Sequence, residues 1–581
     1  MLNSFSKLLP YIKPYMIFAI LGPLFMCMEV AMDLLQPTIM QHIIDDGIAN
    51  NDTAYVIKLG VLMLVAAFIG LIGGAGCTIY STRAAVNFAA DIRRDVFKMT
   101  EQFSSKNMDT FGVGKLITIV TSDITAVQQA LMMVLRVFVR GPLLFIGAVA
   151  IVWFTARELF PVLLVAIPVL MVLIYFFSYK TGQLFVKVQK AMDKVNTKLQ
   201  ETFAGIRVIK AFDRQNYETK AFKRVNDELT KRNMSAEQVI LTLMPIMLFV
   251  VNIGVVVGMW MGAIKVNTGT LEVGVILAFI NYLTIIMNGL VSSSHVLMQI
   301  MKSFTSAGRI QQVLETKIDI TDPVKPVSDN EIKSEVEFKS VHFSYSKNGE
   351  YVLKDISFHV NSGETIGIIG PTGSGKSTLI KLLPRLYDPD LGEVLINGIN
   401  IKEYSIEKLR GLIGFVPQKA TLFAGSIEEN IRFGKEEATL KDMKKAANSA
   451  AASEFIEKLD SQFMHELMQG ATNLSGGQKQ RLSMTRAFIR QPKILVLDDS
   501  TSAIDALSEA KVQQALSQHL ADTTVFIVSS KVSSIMNADR ILVLEDGMIV
   551  ASGTHEKLLE ISGVYREIYA TQNGKGVLSY E

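Results

Sequence analysis

The sequence predicts a membrane all-α domain of six helices followed by an α/β P-loop nucleotide-binding domain, and three observations carry that prediction. The 581-residue chain is 49% hydrophobic against 19% charged, too apolar a balance for an ordinary soluble protein of this length. The apolar residues are concentrated in the first 300 positions, after which short strand-like runs such as ETIGIIG and KILVLDD alternate with amphipathic helical segments. Between these halves, residues 318–335 (IDITDPVKPVSDNEIKSE) are polar, hold two prolines and show no helical face. The expected organisation is a six-span region over 1–317, a linker over 318–335 and a nucleotide-binding domain over 336–581.

Six apolar stretches, at roughly 15–40, 55–80, 131–155, 159–178, 237–264 and 271–300, approach or exceed the length a helix needs to cross about 30 Å of hydrocarbon. The segments between them alternate. Those near 41–54, 155–158 and 265–270 are short and hold few cations, whereas 81–130 and 178–236 are long, helix-forming and rich in lysine and arginine, including Lys187, Lys190, Lys194, Lys198, Arg207, Lys210 and Arg214. The positive-inside rule places the long segments and both termini in the cytoplasm. Ahead of the first span, FSKLLPYIKPY with Lys7 and Lys13 is expected to lie along the inner membrane surface. The first apolar stretch outruns a signal peptide and lacks a small-residue cleavage pattern. The two cysteines, Cys27 and Cys77, both fall in apolar stretches and read as packing residues. A net charge of +3 shows no nucleic-acid footprint.

In the second half, TIGII leads into Gly370, Pro371, Thr372, Gly373, Ser374, Gly375, Lys376, Ser377 and Thr378, then a helical LIKLL. This fits G-x-x-x-x-G-K-[ST] between a strand and a helix. Glycines let backbone N–H groups converge on phosphate oxygens, and the helix N-terminus adds partial positive charge. Lys376 is expected on the β and γ phosphates of ATP, with the Ser377 hydroxyl on Mg²⁺. Four apolar residues in ILVLDD then carry Asp498 and Asp499 to the end of a buried strand, where Asp498 is placed to hold the Mg²⁺.

Between these motifs sits LSGGQKQR, Leu474 to Arg481, which resembles the signature sequence of ABC transporters. The rest follows that family's order. Tyr345 resembles the aromatic residue that stacks on adenine, Gln418 in GFVPQ resembles the Q-loop glutamine near the metal and attacking water, and Ser502 to Asp505 resembles the D-loop. Six spans ahead of one such domain, with AGIRVIKAF at 204–212, resemble the half-transporters of ABC exporters, so the second domain is expected to be of ABC type. The resemblance implies that Ser475, Gly476, Gly477 and Gln478 face the γ-phosphate held by a partner domain, and hence that the chain dimerises. It also implies that segments around 103–112 and 209–218, with Phe111 and Phe212, are transverse helices docking on nucleotide domains.

The chain departs from the family where water is handled. The residue after the magnesium aspartate is normally glutamate; here it is Asp499, one methylene shorter. Misplacement of about an ångström can cost about 10²-fold in rate. The family's γ-phosphate histidine is replaced by Ser530, and Gln469 stands near a position that is often acidic. Losing one electrostatic contact of the histidine's kind costs on the order of 10²–10³-fold. An intact P-loop and signature beside these changes resembles the degenerate-site subunit of heterodimeric bacterial multidrug exporters. The expectation is a plasma-membrane subunit that binds ATP, hydrolyses it poorly at its own site and lends its signature to a second half-transporter, exporting amphipathic drugs or other lipophilic compounds. A lipid or peptide exporter, or a nucleotide-gated channel, is the alternative.

Polar groups inside spans are costly and mark function by default. Glu29 and Asp33 share a face of the first span and are candidates for a cavity selecting cations or for pairing with another helix. Arg136 and Arg140 repeat that spacing in the third, read as packing or headgroup contacts. Asn281, Thr284, Asn288 and Ser292 form a stripe on the sixth, suited to a wet pathway or to interhelical hydrogen bonds. The 27 methionines suit a cavity that repacks around varied ligands.

Overall fold

The computed structural model describes residues 5–327, 334–346, 349–519 and 522–572, with backbone alone at 294–299, 301–302 and 519. Residues 328–333 of the expected linker lie outside that description. The chain divides into two compact units, one of residues 1–101 and 113–316, the other of 102–112 and 317–581.

The first unit is all helix. Its long elements are α1 (Met16–His42), α2 (Thr53–Glu101), α4 (Val113–Thr155), α5 (Phe160–Ala204), α7 (Gln215–Asn267) and α8 (Val273–Leu314), with α6 (Ile206–Ala211) between α5 and α7 and α3 (Ser105–Phe111) counted with the second unit. Six helices among the described residues are long and apolar enough to cross a membrane. The basic segments at 81–130 and 178–236 are largely these helices continued: α2 runs to Glu101 and α5 to Ala204. Two π turns interrupt α4, at Ile119–Asp123 and Val134–Phe138.

Helix contacts in this unit follow small residues and polar bonds, as expected where lipid removes the hydrophobic drive between helices. At the α4–α8 crossing, a Cβ on Gly141 would come within 2.9 Å of the Gly289 carbonyl, and one on Gly289 equally near the Gly141 carbonyl. The buried Tyr282 hydroxyl donates to Leu34 O (2.8 Å) and lies 2.6 Å from Thr38 Oγ1, tying α8 to α1. Near the other end of α8, Asp123 is buried and accepts from Ser306 Oγ (2.8 Å) and Arg309 Nε (2.7 Å). The N-terminal segment packs on α8: Leu8 is buried, Phe5 meets Phe304 edge-on at 5.8 Å, and Lys7 pairs with Glu315 at 2.6 Å.

The second unit is α/β. A six-stranded sheet is built from β3 (Thr365–Ile369), β5 (Ile413–Val416), β6 (Ile494–Asp498), β7 (Thr524–Val528), β8 (Arg540–Glu545) and β9 (Met548–Gly553), in spatial order β9-β8-β3-β7-β6-β5. All pairings are parallel except β8–β9. Every residue of β6 and β7 is buried, which explains their unbroken apolar composition: parallel strands covered on both faces need no polar alternation. A smaller antiparallel sheet orders β2 (Leu353–Val360), β1 (Val336–Phe343) and β4 (Leu391–Ile396), with Ile399–Asn400 at its edge. The helices that matter to the site are α9 (Lys376–Leu382), α10 (Gly476–Phe488), α11 (Ala506–His519), α12 (His555–Ile561) and α13 (Gly563–Gln572).

Within this unit α3 is capped by a reciprocal Ser104–Asn107 box, and Asn107 Nδ2 donates to Lys317 O. The Tyr387 hydroxyl donates to Asp109 Oδ2 at 2.6 Å. Burial, reinforced by that carboxylate, holds the Tyr387 phenol above its ordinary pKa.

Candidate functional site

The turn after β3 is shaped by close packing. A Cβ on Gly370 would fall 2.0 Å from the Leu544 carbonyl, and Gly375, at φ +96°, would place one 2.8 Å from Leu353 Cδ2. Only glycine lets the loop lie against β8 and still turn into α9. Lys376 Nζ donates back to the carbonyls of Gly370 (2.8 Å) and Pro371 (2.7 Å). Burial pushes its ammonium pKa down, against the opposing pull of Asp499 and Asp498. Pro371, Thr372 and Gly373 are exposed, while Ser374 Oγ is buried with no hydrogen-bond partner among the described residues.

Ser377 Oγ donates to Asp498 Oδ1 at 2.7 Å. Burial raises the Asp498 pKa, and the Ser377 bond only partly opposes it. A nearly buried carboxylate with a hydroxyl beside it, at the foot of a phosphate loop, is a donor set that fits Mg²⁺. That ion takes one or two carboxylates and completes its shell with water and phosphate. No cluster of three or more His, Cys, Asp or Glu able to hold a metal is present among the described residues. Tyr345 stands alongside, half-exposed, its hydroxyl 3.0 Å from Thr378 Oγ1 and its ring edge-on to Phe343 and Tyr387.

Asp499 sits at φ +45°, a left-handed conformation that aspartate tolerates better than most side chains. Its backbone N–H donates to Val528 O (2.8 Å). Its Oδ2 accepts from Gln418 Nε2 at 3.3 Å, and its Oδ1 from Ser530 Oγ at 3.4 Å and Ser530 N at 3.5 Å. All three contacts are long and weak. The structure thus brings Gln418, Asp499 and Ser530 to one point, although they come from three separate stretches of chain. Ser502 of the D-loop is linked to the same point through Ser502 Oγ to Asp499 O (2.9 Å) and Lys531 Nζ to Ser502 O (3.4 Å).

The signature residues stand apart from this cluster. No hydrogen bond among the described residues joins Ser475–Gln478 to Gly370–Thr378. The Ser475 hydroxyl oxygen accepts from Gln478 N, and Gln478 Oε1 accepts from Ser475 N, closing a capping box on α10 that leaves the Ser475 O–H able to donate to an anion. A Cβ on Gly476 would meet nothing within 4 Å, whereas one on Gly477 would come 2.9 Å from Ala503 O. The helix start is therefore open on one side and pressed against the D-loop on the other. Gln469 is exposed in a short 3-10 turn ahead of it.

Two features of the membrane half gain a structural setting. Arg140 packs onto α1, its guanidinium bridging Glu29 Oε1 (3.2 Å) and Asp33 Oδ2 (3.0 Å), so one cation of α4 partly offsets the acidic pair of α1. Asn281, Thr284 and Ser292 each donate to the carbonyl four residues back on α8, and no bond from them to another helix is present among the described residues. Asn281, Thr284 and Asn288 face outward from the chain beside the buried Tyr282, Leu283, Ile286 and Met287. Of the two expected transverse segments, Phe111 is buried, and Phe212, just after α6, is 73% exposed. Sequence reasoning missed Gln480, whose Nε2 donates to Pro417 O at 3.1 Å and joins α10 to the Q-loop. It also missed Asp109 and Gln572, since polar residues at helix ends carry no local signal of a distant partner.

Comparison with known proteins agrees with this geometry. The ABC transporter transmembrane region family matches residues 19–290 and the ABC transporter family matches 353–502. An ABC transporter ATP-binding protein of Bacillus subtilis (strain 168), YfiB, is 38% identical over 98% of this chain and 99% of its own length. An ATP-dependent lipid A-core flippase of Desulfotalea psychrophila is 31% identical over 98% of this chain and 99% of its own. Among solved structures, a bacterial Atm1-family ABC exporter with ATP bound shares the fold at a TM-score of 0.78 and 23% identity, covering 98% of this chain and 99% of that one.

Proposed function

The chain belongs to the ABC transporters, as an exporter half-transporter with its membrane region fused to its ATP-binding domain, and from that premise we propose that it is the degenerate-site subunit of a heterodimer. In this reading it sits in a bacterial plasma membrane with both termini cytoplasmic. It binds ATP and Mg²⁺ at its own P-loop, hydrolyses ATP poorly there, and exports amphipathic drugs or other lipophilic compounds.

The observation that carries the reading is the placement of Asp499. Bound Mg²⁺ supplies charge neutralisation at the β and γ phosphates. Lys376 and the loop amides would hold those phosphates, Ser377 and Asp498 would hold the ion, and the Tyr345 ring would stack on the base. What remains for the protein is to seat and polarise a water. Asp499 is the carboxylate in position, yet it is short, its oxygens are already engaged by Gln418 and Ser530, and Ser530 offers only a hydroxyl where the family has histidine. Binding groups are complete and water-handling groups are not.

A partner is supported by two open features. The α10 start carries unobstructed space at Gly476, and backbone amides at a helix N-terminus favour an anion. Phe212, exposed on a basic segment, suits docking on another chain's nucleotide domain. For the substrate, the outward polar face of Asn281, Thr284 and Asn288 amid an apolar helix favours an amphipathic molecule over a purely apolar one. The name of the flippase relative favours a second reading, lipid export.

The test is the purified chain alone, reconstituted in vesicles. The expected result is tight retention of Mg-ATP, phosphate release at least tenfold slower than in the assembled pair, and no transport. In the pair, a lipophilic dye and a labelled lipid distinguish the two substrates, and accumulation against a gradient excludes a nucleotide-gated channel. Brisk hydrolysis and pumping by the lone chain would falsify the heterodimer. Lys376→Ala is expected to weaken ATP retention by at least tenfold, measured by labelled-nucleotide binding, because it removes the loop's charged donor to the phosphates.

A further inference from the structure

The loop following β7 carries Ser530 and runs on to Val532. Its far end is anchored, since the Val532 side chain is buried. Around this anchor the packing is open: Lys531, Val532, Ser533 and Met536, with Tyr569 and Gln572 of α13, line a cavity of about 460 Å³. A loop that borders open space depends on hydrogen bonds for its position. Two of these come from one side chain at the end of α13. Gln572 Nε2 donates to Ser530 O at 2.6 Å, and Gln572 Oε1 accepts from Val532 N at 2.8 Å. The amide thereby spans the loop as a neighbouring strand would, satisfying one donor and one acceptor two residues apart.

The other end of that strut is fixed. Tyr565 of α13 is fully buried and its hydroxyl lies 2.7 Å from His555 Nδ1 on α12, with the Tyr569 ring 5.2 Å from the same imidazole. Gln572 therefore connects a rigid helix to a loop whose Ser530 contacts Asp499. We infer that Gln572 is a positioning residue of this chain's ATP site, holding the Ser530 loop against Asp499 from the C-terminal helix. The inference rests on the reading that this P-loop binds ATP, and is independent of how fast the site hydrolyses it.

The test uses the full chain with Mg-ATP as probe. Gln572→Met keeps the side-chain length and removes both bonds. Gln572→Glu keeps the acceptor for Val532 N–H and loses the donor to Ser530 O. Thr571→Ala, whose hydroxyl bonds only within α13 to Glu567 O, is the control. The expected result is faster amide exchange at Val532 and a half-life of bound ATP shortened about three- to tenfold in Gln572→Met, the range expected for losing such bonds. Gln572→Glu falls between, and Thr571→Ala leaves both unchanged at an unaltered melting temperature. Unchanged ATP retention in Gln572→Met and Gln572→Glu overturns the inference, and so does a melting-temperature loss that accounts equally for all three variants. Failure of the poor-hydrolysis reading appears instead in phosphate release by the unaltered protein, which these readouts do not use.

Discussion

Replacing Asp499 with glutamate and Ser530 with histidine together is expected to raise ATP turnover at this chain's own P-loop by about 10²-fold or more. The binding parts are in place: the glycine turn, Lys376, and Ser377 bonded to Asp498. The longer carboxylate recovers the reach that Asp499 lacks, and imidazole supplies a donor at a distance the Ser530 hydroxyl cannot span. Each single change is expected to give a smaller gain than the pair, because residues that act on one water are not additive. Glutamate at φ +45° sits less comfortably than aspartate, so part of the gain is offset. The measurement is phosphate release by the heterodimer with the partner's P-loop lysine removed, which isolates this site. No gain in the double variant means that the defect lies elsewhere, with Gln469 the next suspect. The complementary substitution Asp499→Asn lowers the unaltered pair's ATPase only modestly.

The second large effect lies in the membrane unit. Arg309→Ala is expected to destabilise that unit by about 3–5 kcal/mol, read as a lower melting temperature in detergent. Asp123 is almost fully buried, with its oxygens taken by Ser306 and Arg309. Removing the arginine leaves a carboxylate charge with one hydroxyl for company. Asp123→Asn is expected to cost less, because the Arg309 side chain is 41% exposed and can turn to water. The ordering of the two variants is the informative part: equal losses would mean that the pair works through packing and not charge. The ion pair joins a π turn of α4 to the end of α8, far in sequence and adjacent in space.

These two sites differ in how much of them could be read in advance. The P-loop, Asp498 and the signature were legible because each performs its chemistry within a few consecutive residues, so spacing alone encodes it. The six spans were legible because hydrocarbon imposes a minimum length on any helix that crosses it. Their ends were not: α2 and α5 run well past the apolar stretches, since a charged helix continues as easily in water as in lipid. The capping role of Ser475 was not legible for a related reason. Its hydroxyl caps its own helix, a local competition that composition does not reveal. The acids of α1 and Arg140 of α4 read as separate features in the sequence, and only their meeting at 3.0–3.2 Å joins three isolated charges into one group.

By itself the sequence determined that this chain has a membrane half and an ATP-binding half, where the P-loop and signature motifs lie, and that aspartate and serine stand where the family it resembles has glutamate and histidine. These follow from side-chain length, charge and short-range spacing, which need no third dimension. Tertiary structure alone decided that Gln418, Asp499 and Ser530 converge, that Gln572 bonds to the Ser530 loop, that Arg140 pairs with the two partly exposed acids of α1, and that Arg309 pairs with the buried Asp123. Each of those contacts joins residues tens to hundreds of positions apart, and a hydrogen bond depends on distance and angle in space, about which separation along the chain says nothing.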